Sequence, residues 1–156
     1  KQSLAFFAKF IKGNAVLKAI GFDGRERRWN ISKYVVSGDD KRPRSKLHIS
    51  ARKLLRDIFP YDTILEEVPL PGSHKPSRKS TLFVDFLIPS ESLAVEVHGR
   101  QHFEFVAYFH GDKADFRKSK ARDRDKANWF EINDINLVAL SYSESKDEWK
   151  RRIINR

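Results

Sequence analysis

Two apolar runs, Leu82–Ile88 and Leu93–Val97, are separated only by Pro89-Ser90-Glu91-Ser92, and each carries an acid where a plain core strand would carry another apolar residue. Short apolar runs bounded by a turn cluster predict a β-hairpin. Asp85 stands between Val84 and Phe86, and Glu96 between Val95 and Val97. Side chains alternate along a strand, so Glu96 and His98 share one face while Val95 and Val97 share the other. A short hairpin brings Asp85 close to Glu96 and His98. Neighbouring carboxylates repel, and burying them is costly unless a cation compensates. Mg²⁺ suits that role: it takes one or two carboxylates and leaves its other positions to water and phosphate. The plainer alternative is a pair of solvent-side acids on an ordinary antiparallel strand pair.

The totals bound what surrounds this hairpin. A chain of 156 residues fits one domain with a small appendage, long enough to bury a real core. The formal charge of +10 predicts a polyanionic partner. Residues 1–60 carry 15 Lys/Arg against 5 Asp/Glu, while residues 61–156 carry 16 of each. The basic half is therefore N-terminal and the candidate acids lie in the neutral half. Cysteine is absent, which excludes disulfides and Cys-based zinc sites. No apolar run has transmembrane length and no secretory pattern is present, so no membrane partner and a cytoplasmic location are expected. The absence of Met suggests that the numbered chain lacks its native start.

Taken in order, Ser3–Lys12 and Ala15–Ile20 are expected to be short helices, either packed on the main core or forming a separate module. Phe22–Asp40 sets Arg25, Arg27 and Arg28 beside Trp29 and Tyr34, which fits phosphate contact and base stacking. The loop Ser37–Arg44 is the best boundary. It divides residues 1–44, a basic N-terminal DNA-binding extension, from residues 45–156, and offers Lys41, Arg42 and Arg44 to a phosphate backbone. Ser45–Phe59 predicts a capped amphipathic helix with Leu47, Ala51, Leu54, Leu55 and Ile58 inward, and Lys46, Arg52, Lys53 and Arg56 outside. Thr63–Leu70 predicts a strand and Pro71–Ser80 a basic loop. After the hairpin, Phe103–Phe116 is rich in aromatics. Asp115–Asn133 predicts a very basic helix, with Phe116, Ala121, Ala127 and Phe130 on its inner face and Lys118, Lys120 and Arg122 among its cations. Ile135–Ser141 predicts a last strand, and Ser145–Ile154 a helix packing Trp149 and Ile153. The order predicts an α/β (α+β) fold, a mixed sheet flanked by helices.

Asp85, Glu96-Val97-His98-Gly99, His102, and Arg122-Asp123-Arg124-Asp125-Lys126 followed by Trp129-Phe130-Glu131 form an ordered set. It resembles the PD-(D/E)xK restriction-endonuclease-like core, with His98 in the lysine position. More narrowly it resembles the Vsr-like (EDxHD) endonucleases, closest to the freestanding homing endonucleases of phages, over roughly residues 45–145. The resemblance implies a Vsr-like nuclease domain at 45–156. It implies a site-specific endonuclease on double-stranded DNA in a bacterial host cell, with a homodimer as the form that would cut both strands.

On this resemblance Asp85, Glu96 and the Val97 carbonyl would hold Mg²⁺ or Mn²⁺. His98 or His102 would serve as general base, since an imidazole pKa near 6.5 suits the task. Asp123 would orient one of them, and Gln101 would contact phosphate or water. Lys75, Arg78 and Lys79 would lie beside the DNA. The chain departs from the pattern in two places. The repair enzymes' Cys-ligated zinc is ruled out, which favours the homing type over a mismatch-directed nickase. His48 stands where the family's first helix carries a Glu, leaving Glu66 or Glu67 as substitutes, or His48 itself to hold a water or phosphate. A degenerate DNA-binding module without catalysis, and an RNA-directed protein, are the remaining alternatives.

Overall fold

The computed structural model describes residues 10–11, 14–36, 40–106 and 110–156, with side chains from Val16 onward. Among these residues, no helix is long and apolar enough to cross a membrane. Strands β1 (Phe10–Ile11), β2 (Asn14–Ile20) and β3 (Glu26–Asn30) form an antiparallel sheet in the order β1-β2-β3. Helix α1 (Lys46–Ile58) leads to β4 (Leu65–Pro69), β5 (Phe83–Ile88) and β6 (Leu93–His98). Helix α2 (Lys113–Ile132), β7 (Asn136–Ser141) and α3 (Lys146–Ile154) complete the chain. The second sheet runs β4-β5-β6-β7. Its first two pairings are antiparallel, and β6 pairs β7 in parallel across the α2 crossover. The mixed sheet and the helix–strand order from α1 onward are as expected.

The N-terminal segment is not helical where it is described. Ala15–Ile20 is strand, paired from Val16↔Asn30 to Ile20↔Glu26 across a turn in which Gly24 takes a positive φ of 77°. Leu17 and Ala19 are buried, and Lys18 between them is exposed, a two-residue period that a sheet face satisfies and a helix does not. Phe10–Ile11, expected at the end of the first helix, is also strand; residues 1–9 lie outside the described set. Trp29, read as a stacking surface, is 2% exposed, donates its indole N–H to the Pro69 carbonyl, and meets Trp129 edge-on.

One core cluster joins Leu17, Ala19, Trp29 and Ile31 of the hairpin to Leu65, Val68, Leu87, Ala94, Trp129 and Phe130. The hairpin is thus built into the main core. Its turn closes on the 71–80 loop, where Phe22 N–H donates to the Gly72 carbonyl. Gly72 has φ +71°, and a β-carbon there would lie 2.5 Å from the Gly21 Cα, so only glycine fits. A second cluster packs α1 and α3, through Ala51, Leu55, Trp149 and Ile153, on Phe86, Ile88, Leu93 and Val95. On α2 the inner pair is Trp129 and Phe130; Ala127, expected inside, is exposed.

Arg52, expected on the outer face of α1, is 7% exposed. It makes two hydrogen bonds of 2.8 Å to Glu66 and one of 3.2 Å to Asp40. The neighbouring His48 ring nitrogen lies 2.6 Å from Glu66 Oε1. Burial alone would raise the Glu66 carboxyl, but the bonds from His48 and Arg52 outweigh it and hold the group below its ordinary 4.5. A depressed folded-state carboxyl lends stability above the unfolded value, lost as pH falls through the folded one. Urea midpoints are expected to drop as pH falls below about 4.5. In Arg52→Met, Glu66 keeps its burial but loses its main cation, so this contribution weakens or changes sign. An unchanged slope in that variant would count against the pairing.

Candidate functional site

The hairpin puts the two acids side by side, as its alternation requires. The turn is a short 3₁₀ segment, Pro89–Glu91, closed by Ser92 in the left-handed region. From there the pairs Ile88↔Leu93, Leu87↔Ala94 and Phe86↔Val95 carry the register toward Asp85 and Glu96. Each acid accepts a bond from the opposite strand: Asp85 N–H donates to Glu96 Oε1 at 3.1 Å, and Val97 N–H to Asp85 Oδ2 at 2.9 Å. These bonds replace part of the ladder and fix both carboxylates. Lys126 Nζ reaches down from α2 to within 3.2–3.3 Å of both Glu96 oxygens. Burial, reinforced by the Asp85 charge, still pushes the Glu96 carboxyl well above its usual range, against the pull of Lys126. A pair of carboxylates left short of positive charge fits a divalent cation, and the hard oxygen set suits Mg²⁺ or Mn²⁺.

A cleft of about 340 Å³ opens over this pair, lined by Arg44, His48, Glu67, Asp85, Glu96, Val97, Gln101, His102 and Lys126, among others. Eight of the sequence-predicted site residues, Arg44, His48, Glu67, Asp85, Glu96, Val97, Gln101 and His102, thus meet in one cavity. His98 and Asp123 join it through His102. The His98 and His102 rings stack 4.1 Å apart and nearly parallel, and His102 Nδ1 lies 3.0 Å from Asp123 Oδ2. Gly99 leads into the 3₁₀ turn Arg100–His102, and Lys120 of α2 donates to the His102 carbonyl. Burial, with the nearby His102, lowers the His98 imidazole to about 4, so it is neutral at physiological pH. Burial would raise Asp123, but His102 and nearby positive charge hold it below its ordinary value.

His98, His102 and Asp123 are also close enough together to chelate an ion. The stacking argues against that use. Imidazole lone pairs lie in the ring plane, so an ion shared between parallel rings 4.1 Å apart would sit outside at least one plane. The arrangement suits an oriented imidazole better.

Of the two acids offered in place of the helix Glu, Glu66 is held by His48 and Arg52, and Glu67 is the one that lines the cleft. Lys126 went unnoticed as a site residue. The available signal was spacing: it follows Asp123 by three residues, one helical turn on the same face.

The expected DNA contacts divide. Arg25, Arg28, Lys41, Lys79, Lys118 and Arg122 are exposed. Arg27 pairs with Asp23, and Arg42 with Asp40. Lys75 and Arg78 both hold Asp125, tying the 71–80 loop to α2. Arg44 is buried in the cleft wall, not laid along an exposed linker. Tyr108 and Phe109 of the aromatic stretch lie outside the described residues, while Phe103 is half exposed and stands near Tyr142.

No family model and no solved structure matches the chain. Curated relatives are viral. Uncharacterized protein 307L of Invertebrate iridescent virus 6 is 34% identical over 62 residues, 40% of this chain and 32% of that protein. Uncharacterized protein 033L of Invertebrate iridescent virus 3 is 26% identical over 69% of this chain and 55% of its own length. Uncharacterized protein 094L of Frog virus 3 is 33% identical over 50% of this chain and 51% of its own length. The chain therefore spans between about a third and about half of the curated relatives it matches.

Proposed function

We propose that this chain is a divalent-metal-dependent endonuclease of double-stranded DNA, built on a Vsr-like PD-(D/E)xK core and encoded by a virus. The observation that carries the reading is the convergence, in one cleft, of the interlocked Asp85 and Glu96 carboxylates with the His102–Asp123 pair. Site-specific cutting of the homing type is favoured over mismatch nicking by the lack of any Cys for a repair-type zinc fixture. The formal charge of +10 suits a polyanionic substrate.

Asp85, Glu96 and the Val97 carbonyl would hold the metal, which would supply Lewis acidity toward the phosphate. The chain's own residues then handle the proton. His102 is fixed at Nδ1 by Asp123 and takes a proton from the attacking water, and Asp123 stabilises the imidazolium that results. The water oxygen bonds to phosphorus. The ester P–O bond breaks with its electron pair on the departing oxygen, which takes a proton from solvent. Neutral His98 packs against His102 and limits its rotation.

The test is incubation with supercoiled plasmid and with mixed-sequence linear DNA, in Mg²⁺ and in EDTA. Nicking or cutting is expected only with Mg²⁺, and discrete linear products would mark site specificity. Salt-sensitive binding without cleavage in Mg²⁺ or Mn²⁺, on DNA that includes the source genome, would reduce the protein to a binding module.

A further inference from the structure

Gly99 stands between His98 and the 3₁₀ turn Arg100–His102, with φ −73° and ψ 178°. That is ordinary extended backbone, open to any L residue, so nothing in its conformation calls for glycine. The reason lies in what sits on it. Beyond its two chain neighbours, the three atoms nearest to a β-carbon at Gly99 all belong to the Gln101 carboxamide: Oε1 at 2.5 Å, and Cδ and Nε2 at 3.2 Å each. No real β-carbon comes that close, so an alanine at 99 would push the carboxamide off its seat. The displaced group is the far end of a flexible side chain, so the fold itself loses little.

The seated amide is free to bind. Gln101 lines the cleft together with Asp85, Glu96 and His102. It is half-buried, its side chain makes no hydrogen bond among the described residues, and neither amide atom is sealed from solvent. The turn beneath it is fixed. His102 N–H donates to the Gly99 carbonyl and Phe103 N–H to the Arg100 carbonyl, both at 3.0 Å, and Lys120 donates to the His102 carbonyl. The carboxamide is thus carried on the same short turn as the imidazole that takes the proton. An attacking water has two O–H groups. His102 accepts one; without a second acceptor the water turns about that bond and its lone pair leaves the line to phosphorus. The other side-chain acceptors of the cleft are engaged: Asp85 and Glu96 by the metal in the reading above, Glu67 by Arg44, Ser45 by the His48 N–H, and His48 by Glu66.

We propose that Gly99 is a positioning residue that seats the Gln101 carboxamide, and that this carboxamide is a catalytic residue that accepts a hydrogen bond from the attacking water. Of the two contacts open to Gln101 in the sequence, phosphate and water, this one is the water. His102 takes one proton of that water, and the other stays on the oxygen that bonds to phosphorus. The role in cleavage rests on the endonuclease reading above; the seat rests on the geometry at Gly99.

Two measurements test it. The Gln101 side-chain NH₂ resonances, assigned by their loss in Gln101→Ala, are followed by ¹⁵N NMR in wild type and in Gly99→Ala. In wild type a nuclear Overhauser contact to the Gly99 α-protons is expected. In Gly99→Ala the pair should move, with the melting temperature at or above the wild-type value. An absent contact, or a pair unmoved in Gly99→Ala, would overturn the seat; a melting temperature well below wild type would show that Gly99 answers to the fold and not to Gln101. Single-turnover cleavage at saturating duplex is then compared among wild type, Gly99→Ala, Gln101→Ala and the double variant. Each single variant is expected to slow by about 10²-fold, and the double variant no further, with duplex affinity and Mn²⁺ affinity near wild type. Wild-type rates with weaker duplex binding would make Gln101 a phosphate contact and refute the catalytic role. Losses that multiply in the double variant would refute the dependence of Gln101 on Gly99. If the NMR results hold but the wild type cuts no duplex, the endonuclease reading and the catalytic role fall together, while the seat stands.

Discussion

Asp85→Ala is expected to abolish metal-dependent cleavage, by on the order of 10³-fold or more, while the protein stays folded. Removing the carboxylate takes away one of the two carboxylate ligands and the acceptor of the Val97 N–H. A metal ion's stabilisation of a phosphoryl transition state amounts to several kcal/mol, and each 1.36 kcal/mol is tenfold in rate. The loss should appear equally as a weakened Mn²⁺ isotherm. A further effect separates metal loss from misfolding. Without Asp85 beside it, Glu96 loses the like charge that helps push its carboxyl up, so its titration is expected to move down toward the usual range. Carbon-detected NMR of the Glu96 carboxyl reads that shift directly. Full activity in Asp85→Ala would sink the proposed centre.

Trp129→Ala is expected to be the most damaging substitution for stability. The ring is fully buried, lies edge-on to both Trp29 and Phe130, and donates its indole N–H to the Pro71 carbonyl at 2.9 Å. Truncating a buried Trp costs about 3–5 kcal/mol. At about 2–4 °C per kcal/mol for a chain of this size, the melting temperature should fall by roughly 10 °C or more. Trp129→Phe keeps an aromatic ring but leaves the Pro71 carbonyl bare, and is expected to cost less. Chemical denaturation of both variants checks the order. A loss under about 1 kcal/mol for the alanine variant would mean that α2 and the N-terminal hairpin do not depend on one core.

The parts of the fold legible in the sequence were those where local pattern and burial agree. The acid-bearing hairpin, the capped helix α1 and the last strand and helix each follow their own periodicity, and the structure places them within a few residues of expectation. Ala15–Ile20 was misread because six residues of mixed apolar character suit either a helix or a strand. The deciding fact is the partner strand Glu26–Asn30, whose Trp29 fills the core. An Asp23-Gly24 turn flanked by alternating residues was the signal for a hairpin. At the site, the residues that carry local spacing were found: Asp85, Glu96 and His98; His102 and Asp123 came from the family resemblance. What spacing cannot show is which cation meets which acid. Arg52, Arg44 and Lys126 all look like surface charges in sequence, and each is drawn inward by an acid from a distant segment: Glu66, Glu67 and Glu96.

The parallel pairing of β6 with β7 has a consequence for the order in which this chain folds. The β5–β6 hairpin closes over a short turn and can form on a microsecond scale. Joining β6 to β7 must wait for all of α2 to be laid across the sheet, and such non-local parallel contacts come late. An early intermediate would therefore hold Asp85 and Glu96 face to face with no ammonium nearby, because Lys126 arrives only with the crossover. Raising the pH should slow this step, by ionising Glu96 beside Asp85 before its counter-charge is in place, and mildly acidic refolding should speed it.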